Sequence, residues 1–232
     1  MDALLNFKKN LNKRKKAQIF LVCTIIITIY MLSFITIVYE LNVNQYSRTT
    51  ELTEFQATYD NLKTETDAFI KGLLANYTLP TSVIADEIDA GAVLQTWLDF
   101  AEARILAKGY FAVLEINEIV PVTQPIAIGN GDGFASIQAN IDIYMECNYL
   151  SIDTEFQYNY LYTMDASVGS SLISVYYTSI YGVNYIGYAD VTVNGAATTN
   201  LYDGTYTYSA PLVAGDVIQA ITPEQIIITL TV

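Results

Sequence analysis

Ile19-Phe-Leu-Val-Cys-Thr-Ile-Ile-Ile-Thr-Ile-Tyr-Met-Leu-Ser-Phe-Ile-Thr-Ile-Val-Tyr39 runs for 21 residues without a charged side chain. A helix rises about 1.5 Å per residue, so this run spans the roughly 30 Å hydrocarbon core of a bilayer. A core helix of a water-soluble protein carries one apolar stripe and a polar face. This run has no such face, and the reading is a transmembrane helix.

The flanks of the run give it a direction. Six of the eleven Lys and Arg precede it: Lys8, Lys9, Lys13, Arg14, Lys15 and Lys16. On its other side comes Glu40, and the first cation is Arg48. Basic flanks stay in the cytoplasm, so Met1 is expected inside and residue 40 onward outside. The apolar run exceeds a secretory h-region and no A-x-A-like site follows it, so anchoring is expected rather than release.

The rest of the chain is acidic. The net charge is −13 although the start is basic, and no Lys or Arg follows Lys108. A nucleic-acid surface needs clustered cations, and nucleic acid is not expected as a partner. The chain has no histidine, which removes the commonest general base and the usual zinc and haem ligands. No catalytic, cofactor or metal residues are assigned, and an enzyme is not expected. Cys23 lies in the apolar run and Cys147 in the body, which are poor positions for a disulfide.

Lys15-Lys16-Ala17-Gln18-Ile19-Phe20, directly before the apolar run, resembles the leader junction of archaeal type IV pilin-like proteins. The resemblance implies a processing site at Lys16, Ala17 and Gln18, cut between Ala17 and Gln18 on the cytoplasmic side. The apolar helix would then be the new N-terminus, packing with copies of itself or related pilins in a filament core. Many members carry Glu five residues into the mature chain, where this sequence has Val22. The alternative is an uncut single-pass anchor in membrane lipid, displaying a β domain that binds a cell-envelope protein or glycan.

Beyond Glu40 there is no Pro until Pro80. Leu52, Phe55, Tyr59, Leu62, Thr66, Phe69 and Leu73 recur at steps of three and four. This predicts a long helix over about Leu21–Ala75, with polar residues at Asn42–Arg48 as the place where it would break. The stripe packs either on its own β domain or in a coiled coil with a partner helix. A second helix is expected over Ala85–Lys108, buried through Leu94, Trp97, Leu98, Ala101 and Ile105. Asp86, Glu87 and Asp89 lie at its start, as the helix dipole favours, and Gly109 lies just past its end.

From Tyr110 the period changes to two. Ala135, Ile137, Ala139, Ile141, Ile143 and Met145 alternate with polar residues. Ile152, Thr154, Phe156, Tyr158, Tyr160 and Tyr162 do the same, which predicts a long antiparallel hairpin turning at Cys147–Tyr149. The Gly-rich peptide Ile128–Gly133 reads as a turn, with Asn130 and Asp132 as the only oxygen ligands it offers to Ca²⁺. Shorter strands follow, with turns at Asn194-Gly195 and Asp203-Gly204. Val191-Thr-Val-Asn-Gly195 and Asp203-Gly-Thr-Tyr-Thr-Tyr208 resemble small immunoglobulin-like modules of surface proteins. About 60 residues is short for a complete sandwich, and the module would share its sheet with what precedes it.

The expected fold class is thus α+β: a long N-terminal transmembrane and amphipathic helix, a second helix, an antiparallel β-sheet, then a small immunoglobulin-like β-sandwich. The expected divisions are 1–17 (basic cytoplasmic leader), 18–75 (membrane helix and its extension), 76–168 (helix plus sheet) and 169–232 (immunoglobulin-like module). Asn76-Tyr77-Thr78 is a glycosylation triplet, with Asn76 as acceptor. The nineteen tyrosines, mostly in strands, suit either a pleated core or a contact surface.

Overall fold

The computed structural model describes the backbone of residues 2–119 and 124–232, and side chains from Phe20 onward within those bounds. The fold is α+β, with two helices and twelve strands among the described residues. By contacts the chain divides into two compact units, Met1–Thr53 and Glu54–Val232.

Helix α1 (Asp2–Thr78) contains the long helix expected over Leu21–Ala75, and it is unbroken through Asn42–Arg48, the one place named for a break. Asn, Ser and Thr each cost a helix only a few tenths of a kcal/mol, and the stretch holds no Gly or Pro. Just beyond it, Thr49 and Thr50 turn their hydroxyls onto the carbonyls of Gln45 and Tyr46 at 2.9 and 3.0 Å.

In the second unit, the α1 stripe packs on its own body. Phe55, Leu62, Ile70, Leu73 and Leu74 are buried, with Tyr59 and Phe69 half-buried beside them. Thr66 is buried too, its hydroxyl donating to the Leu62 carbonyl at 2.7 Å. Helix α2 (Glu87–Ala107) begins at Asp86, whose carboxylate accepts from the amides of Ile88 and Asp89 at 2.9 Å. Asp89 accepts in return from Ala85 at 3.1 Å, so the acidic cluster caps the helix. Leu94, Leu98, Ala101 and Ile105 are buried, while Trp97 is half-buried and stacks on Phe69 at 5.1 Å. Gly91 allows α2 to press on the chain entering the second strand, where a Cβ would meet Pro125 Cγ at 2.7 Å.

The main sheet contains β1 (Phe111–Asn117), β2 (Ile126–Gly131), β3 (Phe134–Glu146), β4 (Ser151–Ala166), β5 (Leu172–Ser179), β6 (Gly182–Tyr185), β9 (Thr199–Asn200) and β10 (Thr205–Thr207). Its order is β1-β3-β4-β5-β10-β9, with β2 against β3 and β6 against β5. The β3–β4 hairpin has the expected register, and the inward residues of β3 from Ala135 to Met145 are all buried. The second sheet is β12-β11-β7-β8, from β7 (Asp190–Val193), β8 (Ala196–Ala197), β11 (Val217–Ile221) and β12 (Ile227–Thr231). Asn194 (φ 50°) and Gly195 (φ 79°) make the tight β7–β8 turn.

The expected divisions at 75/76 and 168/169 are not where the contacts separate. β5 pairs with β4 across the second of them, and β10 and β9 extend the same sheet. The C-terminal strands therefore serve two sheets and share one core with the helices. Thr78 accepts from the Ile227 amide at 3.0 Å, and Asp132 accepts from the Thr231 amide at 2.7 Å. The Gly-rich peptide ends β2 and turns into β3, and its Asp132 is spent tying that turn to β12.

Candidate functional site

Every residue from Phe20 to Thr50 on α1 is exposed. Among the described residues this is the one helix long and apolar enough to cross a membrane. The three threonines of the Ile19–Tyr39 run settle their hydroxyls within the helix. Thr24, Thr28 and Thr36 donate their hydroxyls to the carbonyls of Phe20, Thr24 and Leu32 at 2.9–3.0 Å. In hydrocarbon no water can accept such bonds, so internal pairing is what a lipid-facing helix requires. The segment suits a single-pass membrane anchor. The junction Lys16, Ala17 and Gln18 lies on the α1 backbone, with its side chains outside the described residues.

Asn76 stands exposed in the last turn of α1, with its side-chain oxygen accepting from the Ser82 hydroxyl at 3.1 Å. Thr78, the third residue of that triplet, is buried and holds Ala75 and Ile227.

Sequence reasoning missed a groove of about 540 Å³ in the second unit, between α1 and the inner face of β4. Lys63, Asp67 and Lys71 form one wall, and Phe156, Tyr158, Tyr160 and Tyr177 form the other. Lys71 Nζ lies 2.8 Å from Asp67 Oδ2 and 4.9 Å from the centre of the Tyr160 ring. Tyr160 donates its hydroxyl to the other Asp67 oxygen, and Tyr158 donates to the Lys63 carbonyl at 3.4 Å. Burial pushes the Tyr158, Tyr160 and Tyr162 hydroxyls above their ordinary value, and for Tyr160 the Asp67 bond adds to it. Tyr158 and Tyr160 are protonated at neutral pH and already donate their hydroxyls to α1, so this wall offers uncharged ring faces, while Tyr162 is fully buried outside the groove lining.

The exposed side of the same sheet is acidic. The strand register sets Glu115 opposite Asp142, and Asp142 opposite Glu155. Asp153 lies two residues from Glu155 on the same face. Like charges directly across strands repel. Among the described residues no group of His, Cys, Asp and Glu is arranged to hold a metal ion.

No protein-family model, curated protein or solved structure matches this chain. The chemistry of the groove therefore rests on its own residues, and alkaline titration reads it. The ordinary tyrosine value is 10.0, and these three lie above it in the folded state. Their contribution to stability is complete below pH about 10 and is lost as pH rises towards the folded values. In a tyrosinate absorbance titration, most of the nineteen tyrosines should ionise while the far-ultraviolet circular dichroism stays native. The last group should ionise together with unfolding. A single wave complete before any unfolding would remove this account.

Proposed function

We propose that the chain is a membrane-anchored, pilin-like subunit of the cell surface, a filament component or minor pilin of the archaeal type IV kind. One observation carries the reading. An uncharged segment preceded by six cations continues, in the same helix, into a stripe that packs on a β-rich body. The apolar segment rests in lipid before assembly and packs against sister helices after it, because both settings are dry. The positive-inside rule directs the acidic body outward.

Processing tests the reading. N-terminal sequencing of protein from native membranes should find a chain starting at Gln18. Ala17→Trp should block the cut, because the junction takes a small residue there, and the product should keep its leader. Normal processing of that variant, or an intact Met1 in wild type, would reject the pilin reading.

The second reading is an uncut anchor whose β domain binds a cell-envelope protein or glycan. Val22, standing where many pilins carry Glu, favours it. Intact Met1 together with surface exposure of the body would select it.

A further inference from the structure

Strand β4 has 16 residues, and β3 pairs with it from Ser151 to Thr163. On its other side β5 covers only Tyr160–Ala166. Ser151–Asn159 therefore has a neighbour on one side only. The polarity of that edge follows from two backbone bonds. Met164 donates to the Gly133 carbonyl at 2.9 Å, and Cys147 donates to the Leu150 carbonyl at 2.9 Å. Even-numbered β4 residues thus direct their amides and carbonyls towards β3. Odd-numbered ones direct theirs away, which leaves Asp153, Glu155, Gln157 and Asn159 facing the open edge.

Such an edge is a template for another strand, and proteins usually blunt it with Lys, Pro or a bulge. Here the register is continuous, and Ser151–Asn159 holds neither Lys nor Pro. At β1, another edge of the main sheet, the Leu114 amide donates to Glu102 of α2 at 2.5 Å. The only charged residues of Ser151–Asn159 are carboxylates. Asp153 and Glu155 flank it on the outer face, reinforced by Asp142 opposite Glu155. On the inner face it borders the groove with Phe156, Tyr158 and Tyr160. The line of β5 ends there in Ile180 and Tyr181, with Tyr181 78 % exposed.

A second copy is a poor occupant. No strand of this chain contains Lys or Arg, because the last cation, Lys108, precedes β1. Two β4 edges paired with each other would set carboxylate against carboxylate. We propose that the open edge of β4 at Ser151–Asn159 accepts, by strand addition, an extended segment of another protein in which basic and apolar residues alternate. Its backbone would bond the odd-numbered residues. Its basic side chains would meet Asp153 and Glu155, and its apolar ones would enter the tyrosine groove. Main-chain bonds supply affinity in this mode, and the two-residue period supplies specificity. The inference stands whether or not the leader is cut.

The test uses the full chain in detergent micelles and two nine-residue probes, one alternating Lys with Val and the other Glu with Val. Hydrogen exchange should show the Lys–Val probe protecting the amides of Asp153, Glu155, Gln157 and Asn159, and the Glu–Val probe leaving them unchanged. Gln157→Pro removes an amide that β3 does not use, and proline is tolerated on an edge. It should keep the fold and weaken the Lys–Val probe by about tenfold or more, although the net charge is unchanged. Asp153→Lys with Glu155→Lys keeps the backbone edge and should reverse the preference between probes, so it decides the matter even if the proline variant misfolds. Three results would overturn the proposal: full affinity in a folded Gln157→Pro chain, equal binding of both probes, or protection of these amides by self-association without a probe.

Discussion

A chain that begins at Glu54 is expected to remain in the aqueous fraction under conditions where the full chain floats with membranes. The first 53 residues form one compact unit and the rest another. Among the described residues of the first unit, Phe20–Thr50 is exposed throughout, and its apolar side chains are unburied. Burying a side chain such as Ile, Leu, Val or Phe releases about 1.5–3 kcal/mol, so the run as a whole stands to gain on the order of tens of kcal/mol in lipid. The remaining body is acidic and keeps its own core, which favours solubility. Flotation with liposomes, followed by gel filtration of the unbound material, measures both chains. The expectation fails if the full chain elutes as a water-soluble monomer, or if the chain from Glu54 still floats.

Much of this fold is legible in the residues because its signals are periodic. The two-residue alternation of Ala135–Met145 specifies which face of β3 is buried, since a slip of one residue would turn every apolar side chain to solvent. The helix α2 boundaries are readable from Asp86 and Gly109, which act through local bonds and a positive φ of 88°. The domain boundaries are not readable in this way. Met164–Ser171 is loop-like in composition, yet β4 runs on through Ala166 and pairs there with β5. Pairing of strands is decided by which apolar faces need covering, and a 64-residue tail of short strands cannot cover both sheets alone. The likeness of Val191–Tyr208 to an immunoglobulin-like module is local, and its strands divide between two sheets.

The groove and the open edge are illegible for a different reason. Each depends on a difference in length between neighbours: β3 pairs with β4 as far as Ser151, while β5 stops at the residue facing Tyr160. Alternation predicts the face a residue takes, but it says nothing about how far a neighbouring strand extends. The same limit hides the role of Asp67. In sequence it is one of several charges off the apolar stripe of α1. In the fold it joins Lys71 to Tyr160 across the groove.

Tyr206 is where the largest loss of stability from a single side chain is expected. It is 1 % exposed on β10, next to the Asp203-Gly204 turn. Its hydroxyl donates to the Ile186 carbonyl at 2.6 Å and accepts from the Ala189 amide at 2.8 Å. Those two residues belong to the link from β6 in the main sheet to β7 in the second sheet, so one phenol fixes the path between the sheets. Tyr206→Phe keeps the ring but leaves a buried amide and a buried carbonyl unpaired, which should cost about 1–3 kcal/mol. Tyr206→Ala adds a cavity the size of the ring and should cost about 4–5 kcal/mol. Urea unfolding of the body, followed by near-ultraviolet circular dichroism, separates the two. If Phe proves neutral, the hydroxyl bonds do not hold the link, and packing of the ring alone explains its burial. If Ala also proves neutral, the second sheet does not depend on this side chain for its attachment, and the single shared core described for Glu54–Val232 is wrong.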